Sequence, residues 1–269
     1  MRVPGIPAVG PLPPFADTAR RWLAEFVGTF ALIFVGVGTI VAIGPEVVTA
    51  GNRLGAGTLE VALAHGLVIA IMVTALGHIS GGHFNPAITF GFMLTRRISL
   101  LLGLAYWTAQ LVGGTLAALL LKWIFPPSVR DPSHLGAPAH NVINLGPALV
   151  VEAVLTFFLV WVVFATTADP RSTYTAIAGL AIGLVVVADN LMGYPITGAI
   201  INPARAFGPQ LVGNYWHDFW IWYVGPLAGG AIAALLYDEL YLRPESPPAV
   251  GPPPTGVEEP GPGGQAVDL

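Results

Sequence analysis

Two asparagines, Asn85 and Asn202, stand in one short phrase that this chain of 269 residues contains twice. Ser80-Gly81-Gly82-His83-Phe84-Asn85-Pro86-Ala87 runs on to Phe90-Gly91, and Thr197-Gly198-Ala199-Ile200-Ile201-Asn202-Pro203-Ala204 runs on to Phe207-Gly208. Asn-Pro-Ala suits the first turn of a helix. The Asn side chain accepts from free backbone donors there, and Pro gives up a donor that had no partner anyway. The carboxamide NH2 is then left to face a lumen. Two such helices meeting amino end to amino end each bring roughly half a positive charge. Water between them would turn its oxygen toward Asn85 and Asn202, interrupting a proton wire, while the field penalises cations.

Further polar residues belong to the same picture. Arg205 follows the second phrase directly and is its only cation, which suits a pore donor and cation barrier. The glycines admit backbone conformations closed to other residues. Extended backbone over Gly81, Gly82, His83, Phe84, Thr197, Gly198 and Ile200 would line the lumen with carbonyls, tolerated at membrane depth where backbone faces water or protein. Glu25 and Glu152 lie inside long apolar segments. A carboxylate there costs about 2.5–3.5 kcal/mol on insertion scales, so both should accept from backbone donors of the two loops. Two readings stand for His83, loop support or a side chain at the lumen. Asp189 reads as a hydrogen-bonded group near the outer end of the fifth span, with a vestibule role as the alternative.

The elements that must position these residues are membrane spans. The chain is 54% hydrophobic and only 10% charged, where a soluble domain carries about 25% charged residues, so it reads as an integral membrane protein. Six segments reach the roughly 20 residues a spanning helix needs: Trp22 to Ile43, Leu59 to Gly77, Ile98 to Ile124, Pro147 to Thr167, Tyr174 to Gly193 and His217 to Tyr241. Each repeated phrase follows such a segment and has only about a dozen apolar residues beyond it, enough for half a crossing. Glu25-Phe26-Val27-Gly28-Thr29-Phe30 is echoed by Glu152-Ala153-Val154-Leu155-Thr156-Phe157, and Tyr106 to Leu121 by Trp222 to Tyr237. Each half thus holds three crossings and a half-crossing; because three is odd, the halves are inverted copies. Gly113-Gly114 and Gly229-Gly230 would let helices approach closely.

Arg2, Arg20, Arg21, Arg96, Arg97, Arg171 and Arg243 against Arg53, Lys122 and Arg130 favour a cytoplasmic amino terminus. The carboxy terminus follows it there, and the cell membrane is the expected location. Residues 1–19 read as a disordered arm, 20–242 as the channel domain (repeats of about 20–125 and 147–242), and 243–269 as a disordered Pro/Gly-rich tail. A Pro-rich arm before the first span suits a signal-anchor helix better than a cleaved signal peptide. A net charge of -4 argues against a nucleic-acid partner, and the absence of cysteine excludes disulfides, thiolate metal sites and cysteine nucleophiles. No Ser/His/Asp, metal-ligand or phosphate-loop constellation occurs at useful spacing, so neither an enzyme nor a metal or cofactor is expected.

The paired Asn-Pro-Ala phrases, Arg205, the two Glu-x-x-x-Thr-Phe signatures and the run His78 to Ala87 resemble the aquaporin (major intrinsic protein) family over about residues 20 to 242. The resemblance implies an all-α bundle of six tilted helices and two half-helices. It also implies one pore per subunit, passage of water and small neutral solutes, and a homotetramer in the lipid bilayer. It assigns Asn85, Pro86, Ala87, Asn202, Pro203 and Ala204 to the pore centre, and His65, Asn190, Ala199 and Arg205 to a selectivity filter. His65 also has the reading of a core histidine between helices. Water-selective members usually have Phe and His where this chain has His65 and Asn190; its filter looks more like that of plant vacuolar aquaporins, some of which pass ammonia, urea or peroxide. Ala206 and Gln210, in place of the Asp and basic residue typical of the glycerol branch, lean toward water, as does Trp222-Tyr223 before Gly225-Pro226. A secondary carrier also has inverted repeats, but it usually needs an ion site or titratable relay, and two of the three candidates, Glu25, Glu152 and Asp189, already have a use as loop supports.

Overall fold

The computed structural model describes residues 12–44, 57–139 and 143–243. The expected disordered arm and tail therefore fall largely outside the described residues (1–11 and 244–269), as do Arg2 and Arg53 of the charge argument. Among the described residues, six helical stretches are long and apolar enough to cross a membrane: Phe15–Ile43, Thr58–Ser80, Leu100–Ile124, Leu145–Ala168, Thr175–Thr197 and Ile221–Leu242. No strand occurs among the described residues.

In chain order α1 (Phe15–Leu32) passes through a π-helical turn at Ile33–Val37 into α2 (Gly38–Ile43). Next come α3 (Thr58–Ser80), the half-helix α4 (Pro86–Leu94) and α5 (Leu100–Ile124). A single turn, α6 (Pro127–Arg130), leads into a strap ending in a 3-10 turn at His134–Gly136. The second half holds α7 (Leu145–Val163), α8 (Ala178–Thr197), the half-helix α9 (Pro203–Gly213) and α10 (Ile221–Tyr237).

The first span starts earlier than its apolar run. Residues 15–19, expected in the arm, are helical. Asp17 lies in the first turn, where a negative charge meets the positive helix end, and its carboxylate pairs with Arg21 one turn on at 2.8 Å. Both are polar, so hydropathy alone starts the helix too late.

The two halves pack as related copies. Helices α3 and α8 cross at the centre, α1 packs on α5 as α7 does on α10, and each half-helix sits against the last helix of the other half, α4 on α10 and α9 on α5. Paired glycines set these distances. A Cβ at Gly113 would lie 2.6 Å from the Phe26 carbonyl oxygen, and one at Gly229 would overlap that of Ala153. One step on, Gly114 faces the Ala204 carbonyl and Gly230 that of Ala87, so each glycine pair seats the first turn of the opposite half-helix. Backbones meet where side chains are absent, the usual device of helix association in lipid.

At the end of the bundle where α7 ends, Arg171 holds Asp169 by two guanidinium contacts of 2.9 and 2.7 Å and a backbone N–H, and Tyr237 donates to the same carboxylate at 3.2 Å. Hydrogen bonding from Arg171 leads in pushing the Asp169 carboxyl down to about 2.

Two outcomes follow. Gly229→Val should cost at least about 1–3 kcal/mol through overpacking, read as lost thermal stability of the detergent-solubilised protein, whereas Gly146→Ala, with nothing within 4 Å of its Cβ, should not. A carboxyl whose pKa is lower folded than unfolded stabilises above its unfolded value and loses that contribution as pH falls through the folded one. Thermal stability should therefore drop between about pH 4 and 2 by more in the native chain than in Asp169→Asn.

Candidate functional site

Each half-helix is introduced by a loop that a buried glutamate holds. Glu25 and Glu152 are both fully buried. Glu25 accepts from Ser80 Oγ (2.6 Å), the His83 and Phe84 backbone N–H groups (2.9 and 2.7 Å) and Gln110 Nε2 (2.8 Å). Glu152 accepts from Thr197 Oγ1 (2.6 Å) and the Ile200 and Ile201 N–H groups (3.0 and 2.8 Å). The correspondence is position by position. It fails at Gln110, whose counterpart in the echoed helix is Pro226, leaving Glu152 one donor fewer. The loop entrances match as well: Tyr106 Oη donates to the Ser80 carbonyl at 2.7 Å and Trp222 Nε1 to that of Thr197 at 3.1 Å.

The loop backbone is not simply extended. Gly81 and Gly198 end α3 and α8 in the left-handed region (φ 95° and 89°), where glycine has no Cβ penalty. Phe84 and Ile201, directly before the asparagines, are also left-handed (φ 47° and 46°). Such strain persists only where the surroundings over-determine it. Here each residue has both backbone groups engaged. Its N–H donates to the glutamate of its own half, and its carbonyl accepts from the asparagine of the other half: Asn202 Nδ2 to Phe84 at 2.9 Å and Asn85 Nδ2 to Ile201 at 2.8 Å.

The asparagines thus do three things. Each Oδ1 caps its own half-helix, at Ala87 N (2.8 Å) for Asn85, and at Ala204 N (2.9 Å) and Arg205 N (3.3 Å) for Asn202. One Nδ2 hydrogen clasps the opposite loop. The other remains, and both residues line one internal passage of about 440 Å³ of empty space, open solvent included. Pro86 and Pro203 occupy the first helical positions; with Ala87 and Ala204 they are buried structural members of the two turns and are not among the residues lining the passage.

His65, Asn190, Ala199 and Arg205, from three helices and the loop before α9, border the same passage. His65 Nδ1 lies 2.9 Å from the Val61 carbonyl, which only accepts, so Nδ1 carries the proton and Nε2 keeps its lone pair. The ring sits over Gly36, where a Cβ would come within 2.6 Å of it. Asn190 Nδ2 donates to the Val186 carbonyl at 2.9 Å, leaving Oδ1 as an acceptor. Arg205 is 2% exposed; its Nη1 donates to the Gly136 carbonyl at 3.0 Å. Among the described residues, His65 Nε2, Asn190 Oδ1 and Arg205 Nε have no hydrogen-bond partner.

Of the seven positions expected to line the lumen with backbone, Gly82, His83 and Ile200 border the passage, and Ile201, which was not singled out, joins them. The other four are not among the residues that border it. The Gly81 and Gly198 N–H groups close the ends of α3 and α8, the Phe84 carbonyl receives Asn202, and the Thr197 carbonyl receives Trp222. His83 meets both readings, since its Nδ1 lies 3.0 Å from Thr89 Oγ1 and the residue also borders the passage. Asp189 departs from its expectation: it is 3% exposed, eight residues before the end of α8, and its Oδ2 has no hydrogen-bond partner among the described residues.

Inverted halves, two half-helices meeting at their amino ends and, between them, a largely apolar passage carrying a few polar side chains define a membrane channel fold. The chain belongs to the major intrinsic protein family, whose family model matches residues 15–237. It is 45% identical over 230 residues to aquaporin TIP4-4 of Zea mays, covering 84% of this chain and 88% of that protein. It is 42% identical over 243 residues to the probable aquaporin TIP3-2 of Arabidopsis thaliana, covering 88% of each. The X-ray structure of the aquaglyceroporin from Plasmodium falciparum superposes with a TM-score of 0.70 at 23% identity, over 83% of this chain and 96% of that one, which supports the fold.

Because Glu152 has three donors and no substitute for them, Glu152→Gln would turn an NH2 group against a backbone donor. Unfolding of the purified protein should show a loss of about 1–3 kcal/mol; a variant as stable as the native chain would contradict the assigned support.

Proposed function

We propose that this protein is a passive channel that conducts water, and other small uncharged solutes that fit its passage, while excluding protons and ions. The observation that carries this reading is the pair Asn85 and Asn202 on one passage, each with one Nδ2 hydrogen clasped and one left toward the lumen. A water there accepts from the asparagines, so its own hydrogens point away along the passage in both directions. No donor then continues the chain across the centre. The amino ends of α4 and α9 add about half a positive charge each, which opposes hydronium and metal cations.

His65, Asn190, Ala199 and Arg205 form the selectivity filter in this reading. Arg205 supplies fixed donors, the unpaired His65 Nε2 and Asn190 Oδ1 supply acceptors, and Ala199 leaves width. Two acceptors beside a guanidinium favour a second reading of the solute range, a broader facilitator that adds glycerol, ammonia, urea or hydrogen peroxide to water. Conduction down a gradient involves no catalytic step, cofactor or metal. We retain the cytoplasmic termini from the charge argument, and the homotetramer from the family resemblance. The relatives are TIP-type plant aquaporins, and their names lend nothing to the expected cell membrane.

Stopped-flow light scattering on proteoliposomes tests this. Water flux should have a low activation energy, ignore ion and pH gradients and, with no cysteine in the chain, resist mercurials. Flux that requires a gradient would point to a carrier. Arg205→Val should raise permeability to glycerol or protons relative to water, and an unchanged profile would remove Arg205 from the filter.

A further inference from the structure

We propose that His134 is a positioning residue, which by stacking on Tyr215 latches the strap whose Gly136 carbonyl fixes Arg205. The inference rests on the reading of Arg205 as a filter donor and adds a residue outside the passage to it.

The strap after α6 is strained at the point where it matters. His134, Leu135 and Gly136 are consecutive left-handed residues (φ 49°, 56° and 72°), a conformation that L side chains rarely adopt. Two turns brace it: His134 N donates to the Asp131 carbonyl at 2.9 Å and Gly136 N to that of Ser133 at 2.8 Å. The outcome is a carbonyl aimed inward, where Gly136 accepts from Arg205 Nη1 at 3.0 Å. Among the described residues that bond anchors the Arg205 side chain, and its Nε has no partner there. The guanidinium therefore depends on the strap.

Something must hold a strained segment down. Leu135 does so in the middle, 3% exposed among core residues. His134 is exposed, and what it gains is a ring contact. It stacks on Tyr215 with centroids 4.0 Å apart and planes 9° from parallel. Tyr215 lies just beyond α9, its N–H bonded to the Gln210 carbonyl at 3.1 Å, so the same half-helix that carries Arg205 also carries the far side of the latch. The fit beneath is close, since a Cβ at Gly213 would come within 2.9 Å of the His134 carbonyl. Half-helix, latch, strap and guanidinium form a closed loop, and the His134 ring lies at its exposed face.

An aromatic pair shifts a local equilibrium by roughly two- to tenfold. In proteoliposomes, His134→Ala and Tyr215→Ala should each raise the ratio of glycerol to water permeability by about that factor. The double variant should go no further than either alone, because both remove one contact. His134→Phe, which keeps a ring on Tyr215, should restore the native ratio; a residue that merely aided folding would alter yield or stability without moving this ratio. Arg205→Val is the reference. If it raises the ratio while both alanine variants match the native chain, or if His134→Phe leaks as His134→Ala does, the latch is wrong and the filter stands. If Arg205→Val leaves the ratio unchanged, the filter reading falls and the latch with it.

Discussion

A carboxylate far from water must be surrounded by donors, and Glu25 and Glu152 meet that requirement with the loops that precede the half-helices. In hydrocarbon, an irregular loop leaves backbone N–H groups that nothing else satisfies; two buried glutamates leave acceptors with the same difficulty. Each solves the other. The bonds hold the backbone N–H groups of residues 83–84 and 200–201 and keep Phe84 and Ile201 in a left-handed conformation that they would not hold alone. That conformation aims the asparagine carbonyl and amide where the half-helices can meet. The cap, the clasp across the pseudo-symmetric centre and the position of Arg205 three residues on all descend from this pairing.

Reciprocity makes the centre rigid. Asn85 reaches into the loop of the second half and Asn202 into that of the first, so neither loop can move without breaking a bond of the other. A channel that orients water by hydrogen bonds needs donors that do not follow the water. Fixing one hydrogen of each NH2 group fixes the direction of the second, so the field at the centre is built in before any solute arrives. The glycine pairs Gly113-Gly114 and Gly229-Gly230 serve the same end from behind, admitting the backbones of α1, α7 and the half-helices.

Much of this was legible in the chain before any coordinates, because inverted repetition exposes what matters. A residue type kept in both copies, such as Asn, Pro or the intramembrane Glu, stands out against an apolar background where polar groups are costly. The six spans and two half-crossings followed from length and hydropathy. What stayed hidden depends on contacts between distant segments or on departures from the repeat. The clasp between Asn85 and Ile201 joins positions 116 apart. Gln110 has Pro226 as its counterpart, so comparing the copies discards it. The Phe84 and Thr197 carbonyls were expected at the lumen because glycine-rich backbone suggests exposure; the structure gives them to Asn202 and Trp222 instead. The turn at Phe15 was missed because a helix held by Asp17 and Arg21 looks polar. Gly136 gave no signal, since a carbonyl's partner is invisible in a residue's type.

The most direct test of the central claim is an experimental density map of the purified channel that resolves ordered water. The account predicts a water oxygen within about 3 Å of the Nδ2 nitrogens of both Asn85 and Asn202, with the Glu25 and Glu152 contacts intact. A map in which either carboxamide turns away from the passage, or in which the centre is dry and closed by apolar side chains, would contradict it.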